Sequence, residues 1–127
     1  MTKHPVDEVI EKWNAAMRRA DTAELASLVT EDFEFWSPGQ PPLAGRAAVR
    51  DSFDTLFKTY RMEQFFEERE RIDFGDAVLL RGVERNLITP RKGVGETTIH
   101  QRVFTLLRRD ADGVWRIARG MSQFLKP

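Results

Sequence analysis

Apolar residues recur along the start of the chain at spacings of four and three: Val6, Ile10, Trp13, Met17 and Ala20, widened by Val9 and Ala16. That period marks one face of an amphipathic helix, and Pro5 stands where a first helical position tolerates a missing N–H. Asp21-Thr22-Ala23-Glu24 has the acidic cap, and the glutamate three residues later, that open a second helix. This helix is predicted to carry Leu25, Leu28 and Val29 and to end near Thr30. At Phe33-Glu34-Phe35-Trp36 the period drops to two, as in a strand. Ser37-Pro38-Gly39-Gln40-Pro41-Pro42 stops it, because proline has no N–H for a ladder. Gly45 precedes a third helical pattern, Val49, Phe53, Leu56, Phe57 and Tyr60. Four long strands follow at roughly 62–73, 77–89, 96–109 and 114–124, with turns at Gly75-Asp76 and at Asp110-Ala111-Asp112-Gly113.

The order is helix, helix, strand, helix, then a four-stranded meander. Helices followed by runs of strands indicate an α+β fold with the helices packed on one face of a mainly antiparallel sheet. A chain of 127 residues fits a single domain spanning 1–127, able to bury about two-thirds of its unfolded surface. An apolar share of 41% with 10% aromatic residues suits a globular protein. No apolar run is long enough to span a bilayer, and Met1-Thr2-Lys3-His4-Pro5 lacks the core of a signal peptide, so a soluble, cytoplasmic protein is expected.

Twenty basic and twenty acidic residues cancel, which removes the field that would draw the protein to nucleic acid or to a membrane surface. The expected partners are a small molecule and a second copy of the chain. With no cysteine, disulfides, thiol nucleophiles and thiolate metal sites are excluded. Two histidines without a supporting carboxylate cluster cannot close a metal site, so neither a metal nor a cofactor is expected.

The series Trp13…Ala16…Ala20-Asp21…Leu25…Leu28…Asp32-Phe33, then Trp36…Pro42…Gly45-Arg46…Val49…Phe53, is continued by Gly75-Asp76-Ala77, Arg102-Val103-Phe104 and Asp112-Gly113-Val114-Trp115-Arg116-Ile117. It resembles the SnoaL-like and ketosteroid-isomerase-like branch of the nuclear-transport-factor-2-like superfamily over nearly the whole chain. The resemblance implies a cone-shaped α+β barrel of three helices on a strongly curved sheet, enclosing an apolar pocket and dimerising through the outer sheet surface. The isomerases of that branch carry a carboxylate base at the end of the first strand, where this chain has Trp36 or Ser37. They hold the oxyanion with a tyrosine of the first helix, here Trp13, and with an acid near Val103 to Thr105. The similar cyclases use a histidine and an aspartate on the last two strands, and the aspartate position falls near Gly120. Neither dyad is present in this chain.

By the resemblance Trp13 and Trp36 flank the pocket, where two indoles would suit a flat ligand; both would serve equally as plain core aromatics. Met17, Phe53 and Phe57 are expected to shape the cavity. Arg102 is the candidate anchor for a carboxylate or enolate, provided that it faces inward; if it faces outward, Gln101 and Val103 face in. On the neighbouring strand Leu80, Gly82, Glu84 and Asn86 share one face and Arg81, Val83 and Arg85 the other. Glu84 beside a buried arginine would be an acid/base device or, as is more common, a neutralised ion pair. The function expected is a small-molecule pocket protein acting on a hydrophobic carbonyl compound as an isomerase, cyclase or lyase. The alternative is a non-catalytic ligand-binding or dimerisation module.

Overall fold

The computed structural model describes residues 3–125. The expectation about the first residues rests partly on Met1 and Thr2, which lie outside that range. Helix α1 (Pro5–Arg19) begins at His4, whose Nδ1 accepts the Val6 N–H at 3.1 Å. It ends at Ala20 in the left-handed conformation, φ 57°. Helix α2 (Thr22–Ser27) follows without a loop, because the Asp21 carboxylate caps it by accepting the Glu24 N–H at 3.0 Å.

That helix is shorter than its apolar pattern predicts, and strand β1 (Val29–Trp36) takes over at Val29. The reason is tertiary. The Leu28 carbonyl accepts the Ile117 N–H at 2.9 Å, and the β-branched pair Val29-Thr30 is fully buried against the last strand. The prolines then close a hairpin onto a two-residue strand, β2 (Leu43–Ala44), which the sequence pattern does not announce. Helix α3 (Arg46–Thr59) leads into β3 (Tyr60–Asp73), β4 (Ala77–Pro90), β5 (Thr97–Arg109) and β6 (Trp115–Phe124). Tyr60, expected on the helix, opens β3.

The six strands form one mixed sheet in the order β2-β1-β6-β5-β4-β3, open rather than closed into a barrel, with β1 parallel to β6 and the other pairs antiparallel. Two features bend it. A bulge between Glu68 and Glu70 in β3 gives that strand an extra residue opposite β4. A register shift where β6 meets β5 lets both Ile117 and Ala118 be buried, so Arg119 points outward and Gly120 inward. The helices fill the concave side, where Met17 and Leu25 meet Val29, Leu80, Leu107 and Ile117 in the core.

Ion pairs tie the rim. Arg71 of β3 binds Asp7 of α1, and this guanidinium holds the Asp7 carboxyl below its usual range. Asp32 is held well below the usual carboxylate range by Arg108, at 2.9 Å, with Arg119 assisting. A depressed carboxylate adds stability above its unfolded pKa and loses it as pH falls. These groups are exposed enough that the pair contributes no more than about 1 kcal/mol.

Candidate active site

A cavity of about 270 Å³ lies between the helices and the concave face of the sheet. Its floor is apolar: Ile10, Met17, Phe33, Phe35, Leu43 and Phe66 supply most of the wall. Its polar residues stand on adjacent strands at matched register. Gln64 of β3 pairs with Asn86 of β4, and Glu84 of β4 pairs with Gln101 of β5. Alternation places all four on the concave side, because Leu80, Gly82, Glu84 and Asn86 share one strand face.

Glu84 is the only charged side chain that lines the cavity among the described residues. Its Oε1 accepts the Gln101 Nε2–H at 2.7 Å and the Asn86 Nδ2–H at 3.1 Å. Among the described residues no arginine lines the cavity beside it, so the expected ion pair is replaced by amide donors. Burial pushes the Glu84 carboxyl above its ordinary value, opposed by the amides of Asn86, Gln101 and Gln64. Neutral amides stabilise a carboxylate less than a guanidinium would, so desolvation prevails.

Trp13 lies on the cavity, edge-on to Phe53 at 5.8 Å between ring centroids and 82° between planes. Its indole N–H is already engaged, donating to Gln64 Oε1 at 2.7 Å. Met17, 2% exposed, and Phe53 also line the space. Three expected site residues lie elsewhere. Phe57 stacks on Phe53 at 5.7 Å but is one helical turn further into the core, where it fills volume without reaching the cavity. Trp36 is 54% exposed on the convex face, because β1 alternates and Phe33 and Phe35 take the inward positions. Arg102 is also on the convex face, opposite Val83, while Gln101 and Val103 point in. An unpaired guanidinium in so small an apolar space would carry a large desolvation cost, and the outward register avoids it.

Gln64 and Asn14 were not anticipated as cavity residues. For Gln64 the available signal was its place between Met62 and Phe66 at one strand parity, and for Asn14, on α1, its place between Ile10 and Met17 at helical spacing. Two broader depressions, about 510 Å³ beside Arg46 and Arg50 and about 520 Å³ around Arg102 and Phe104, are open to solvent and enclose no such constellation.

Residues 10–120 match the SnoaL-like domain. The chain belongs to the SnoaL-like domain family. No curated protein matches the sequence. Among solved structures, a conserved protein from Planctomyces limnophilus superposes with a TM-score of 0.86 at 22% identity, covering 95% of both chains. A nuclear-transport-factor-2-like superfamily protein from Salmonella enterica superposes at 0.83 with 15% identity, over 96% of this chain and 89% of that one. A ketosteroid-isomerase-like protein from Erwinia carotovora gives 0.80 with 22% identity, over 95% and 94%. These likenesses establish a cone-shaped α+β fold shared with SnoaL-like proteins. Among the described residues no helix is long and apolar enough to cross a membrane.

Proposed function

We propose that this SnoaL-like chain binds a compact, neutral, largely apolar carbonyl compound and that Glu84 moves a proton on it. The observation that carries this reading is the lone carboxyl group in an apolar cavity, with the Asn86 and Gln101 amides both donating to Oε1. Among the described residues no lysine, arginine or histidine lines the space, so an anionic ligand would face Glu84 without a counter-charge. A cavity of about 270 Å³ falls just below the roughly 300–1,000 Å³ of sites for drug-sized ligands, which favours a small ring system.

In the reaction, Glu84 Oε2 takes the proton from the carbon beside the carbonyl, and the C–H electron pair becomes the double bond of an enolate. The second N–H of Gln101 and the hydroxyls of Ser37 and Thr105, all on the cavity wall, are the donors for the enolate oxygen. Return of the proton to the same or a conjugated carbon restores the carboxylate. A carboxylate whose pKa is raised by burial is a stronger base for such transfers.

A panel of substituted cyclohexenones and matched cyclic carboxylic acids tests the binding. At a hundred times its Kd a ketone adds about 2.7 kcal/mol to the folded state, and the acids are expected to add nothing near neutral pH. Thermal melts unmoved by every ketone would sink the reading. Ketone binding without exchange of the α-proton against D2O would leave a ligand-binding module.

The convex face supports the second part of the proposal, a homodimer. Trp36, Met121 and Phe104 stand in register across β1, β6 and β5, exposed by 54, 48 and 43%, and Arg81 lies over the Phe104 ring. Around this apolar band Arg81, Arg102 and Arg119 alternate with Glu34, Glu67 and Glu70, a mixture that a two-fold axis can match to itself. Sedimentation is expected to give a dimer at micromolar concentration, and Phe104→Asp a monomer that retains the fold. A monomeric parent protein would remove this part.

A further inference from the structure

Hydrogen-bond direction along the cavity wall is forced from one end. The indole Nε1–H of Trp13 can only donate, so Gln64 must present Oε1 to it, at 2.7 Å. The Gln64 Nε2 then faces Asn86, which must answer with Oδ1, at 2.8 Å. This leaves the Asn86 Nδ2 to donate to Glu84 Oε1, at 3.1 Å. Reversing either amide would set N–H against N–H or oxygen against oxygen, and Asn86 is only 5% exposed, with little access to water as a substitute partner. Gln101 reaches the same Oε1 from the other side at 2.7 Å, and the Gln64 amide also acts on the carboxyl group.

We propose that Trp13, Gln64 and Asn86 form a one-way relay from α1 that positions Glu84, making Oε1 a fixed anchor and Oε2 the oxygen that exchanges protons with a ligand. The assignment of chemistry to Oε2 rests on the proposed acid/base role; the relay itself does not. Both lone-pair directions of Oε1 are occupied by Asn86 and Gln101, so a proton placed there must displace one of them, whereas a proton on Oε2 displaces neither. Every link points its N–H toward the carboxyl group, so the relay favours the ionised form and opposes the desolvation of the site. Helix α1 is thereby coupled to the carboxyl group, and it is fixed on β3 by Asp7–Arg71 at one end and by Trp13–Gln64 nearer the cavity. Among the described residues, none of the elements that line the cavity around Glu84 (α1, α3, β1, β2, β3, β5 and β6) brings a second charge to it that could mask a change in the relay.

Removing the indole donor frees Gln64 to turn, and with it Asn86, which can then offer its carbonyl to a protonated Glu84. The test is a carbon-detected NMR titration of the Glu84 side-chain carboxyl group in the unliganded protein. Trp13→Phe keeps the aromatic contact with Phe53, and Gln64→Leu cuts the next link. Each is expected to move the midpoint to higher pH, and the double variant no further than the larger single effect, because both break one chain. Phe57→Leu, a core change outside the relay, is expected to lower the melting temperature and leave the midpoint in place. A Trp13→Phe midpoint equal to that of the parent, or additive shifts in the double variant, would overturn the relay. Because no ligand is present, failure here leaves the ketone-binding result untouched, and the converse also holds.

Discussion

The Glu84→Gln protein is expected to be more stable than the parent at neutral pH and to have lost its proton-transfer chemistry. Glutamine is isosteric and its carbonyl can still accept from Asn86 and Gln101, while its own N–H2 group replaces Oε2. Burial raises the Glu84 pKa, so the folded state holds the proton to higher pH than the unfolded chain does. Stability is then complete below the unfolded carboxyl pKa and declines as pH rises through the folded one. Glutamine does not titrate, so the two proteins should melt together in acid and diverge toward neutrality. A gain on the order of 1 kcal/mol, roughly 4 °C, is expected there. Exchange of ketone α-protons with D2O should fall by about 10²- to 10⁴-fold, the usual contribution of a positioned base. Melting curves that keep a constant separation at every pH would mean that Glu84 does not carry the linkage. Undiminished exchange would remove it from the chemistry.

Much of the architecture is legible in the sequence because its signals are periodic. The four long strands and the first and third helices fall within a few residues of their expected bounds, since alternation over ten or more positions leaves little freedom. The short elements are not legible in the same way. Val29 and Thr30 continue a helical pattern in sequence, yet the parallel contact with β6, some ninety positions away, draws them into a strand. The pairing of Leu43 with Phe35 depends on a hairpin that prolines only hint at.

The site divides along the same line. Glu84 shares a strand face with Leu80 and Asn86 by simple parity, and Gln101 follows once Arg102 is known to face outward. Parity cannot say which face is concave, and this decided against Arg102. Trp36 illustrates the opposite error: the alternation Phe33-Glu34-Phe35-Trp36 already opposes it to both phenylalanines, but the resemblance placed it in the pocket. The partners of Trp13 and Glu84 depended on the register of three strands and on the seating of a helix, none of which a linear pattern contains.

Gly82→Ala should be the most damaging single-carbon change in the chain, and comparison with Gly120→Ala separates the shape of the wall from the space inside it. A Cβ on Gly82 would stand 2.3 Å from the Glu67 carbonyl oxygen and 2.8 Å from the Phe66 ring. The first obstacle is backbone, beside the β3 bulge, so relief requires β3 and β4 to part at their bend. A cost of about 3 kcal/mol is expected, at the upper end for overpacking, read as a fall of roughly 12 °C in Tm. On Gly120 the Cβ would meet the Phe35 ring at 2.5 Å, with the Phe104 carbonyl also tight at 3.2 Å, which a shift of a few tenths of an ångström relieves. Phe35 lines the cavity and can swing into it, so this variant should lose about 1 kcal/mol while giving up ligand volume. Gly82→Ala is therefore expected to register in melting and Gly120→Ala in ketone affinity. A Gly82→Ala protein that melts within a few degrees of the parent would show that the bulge yields readily and that the close approach of β3 to β4 there does not constrain the fold.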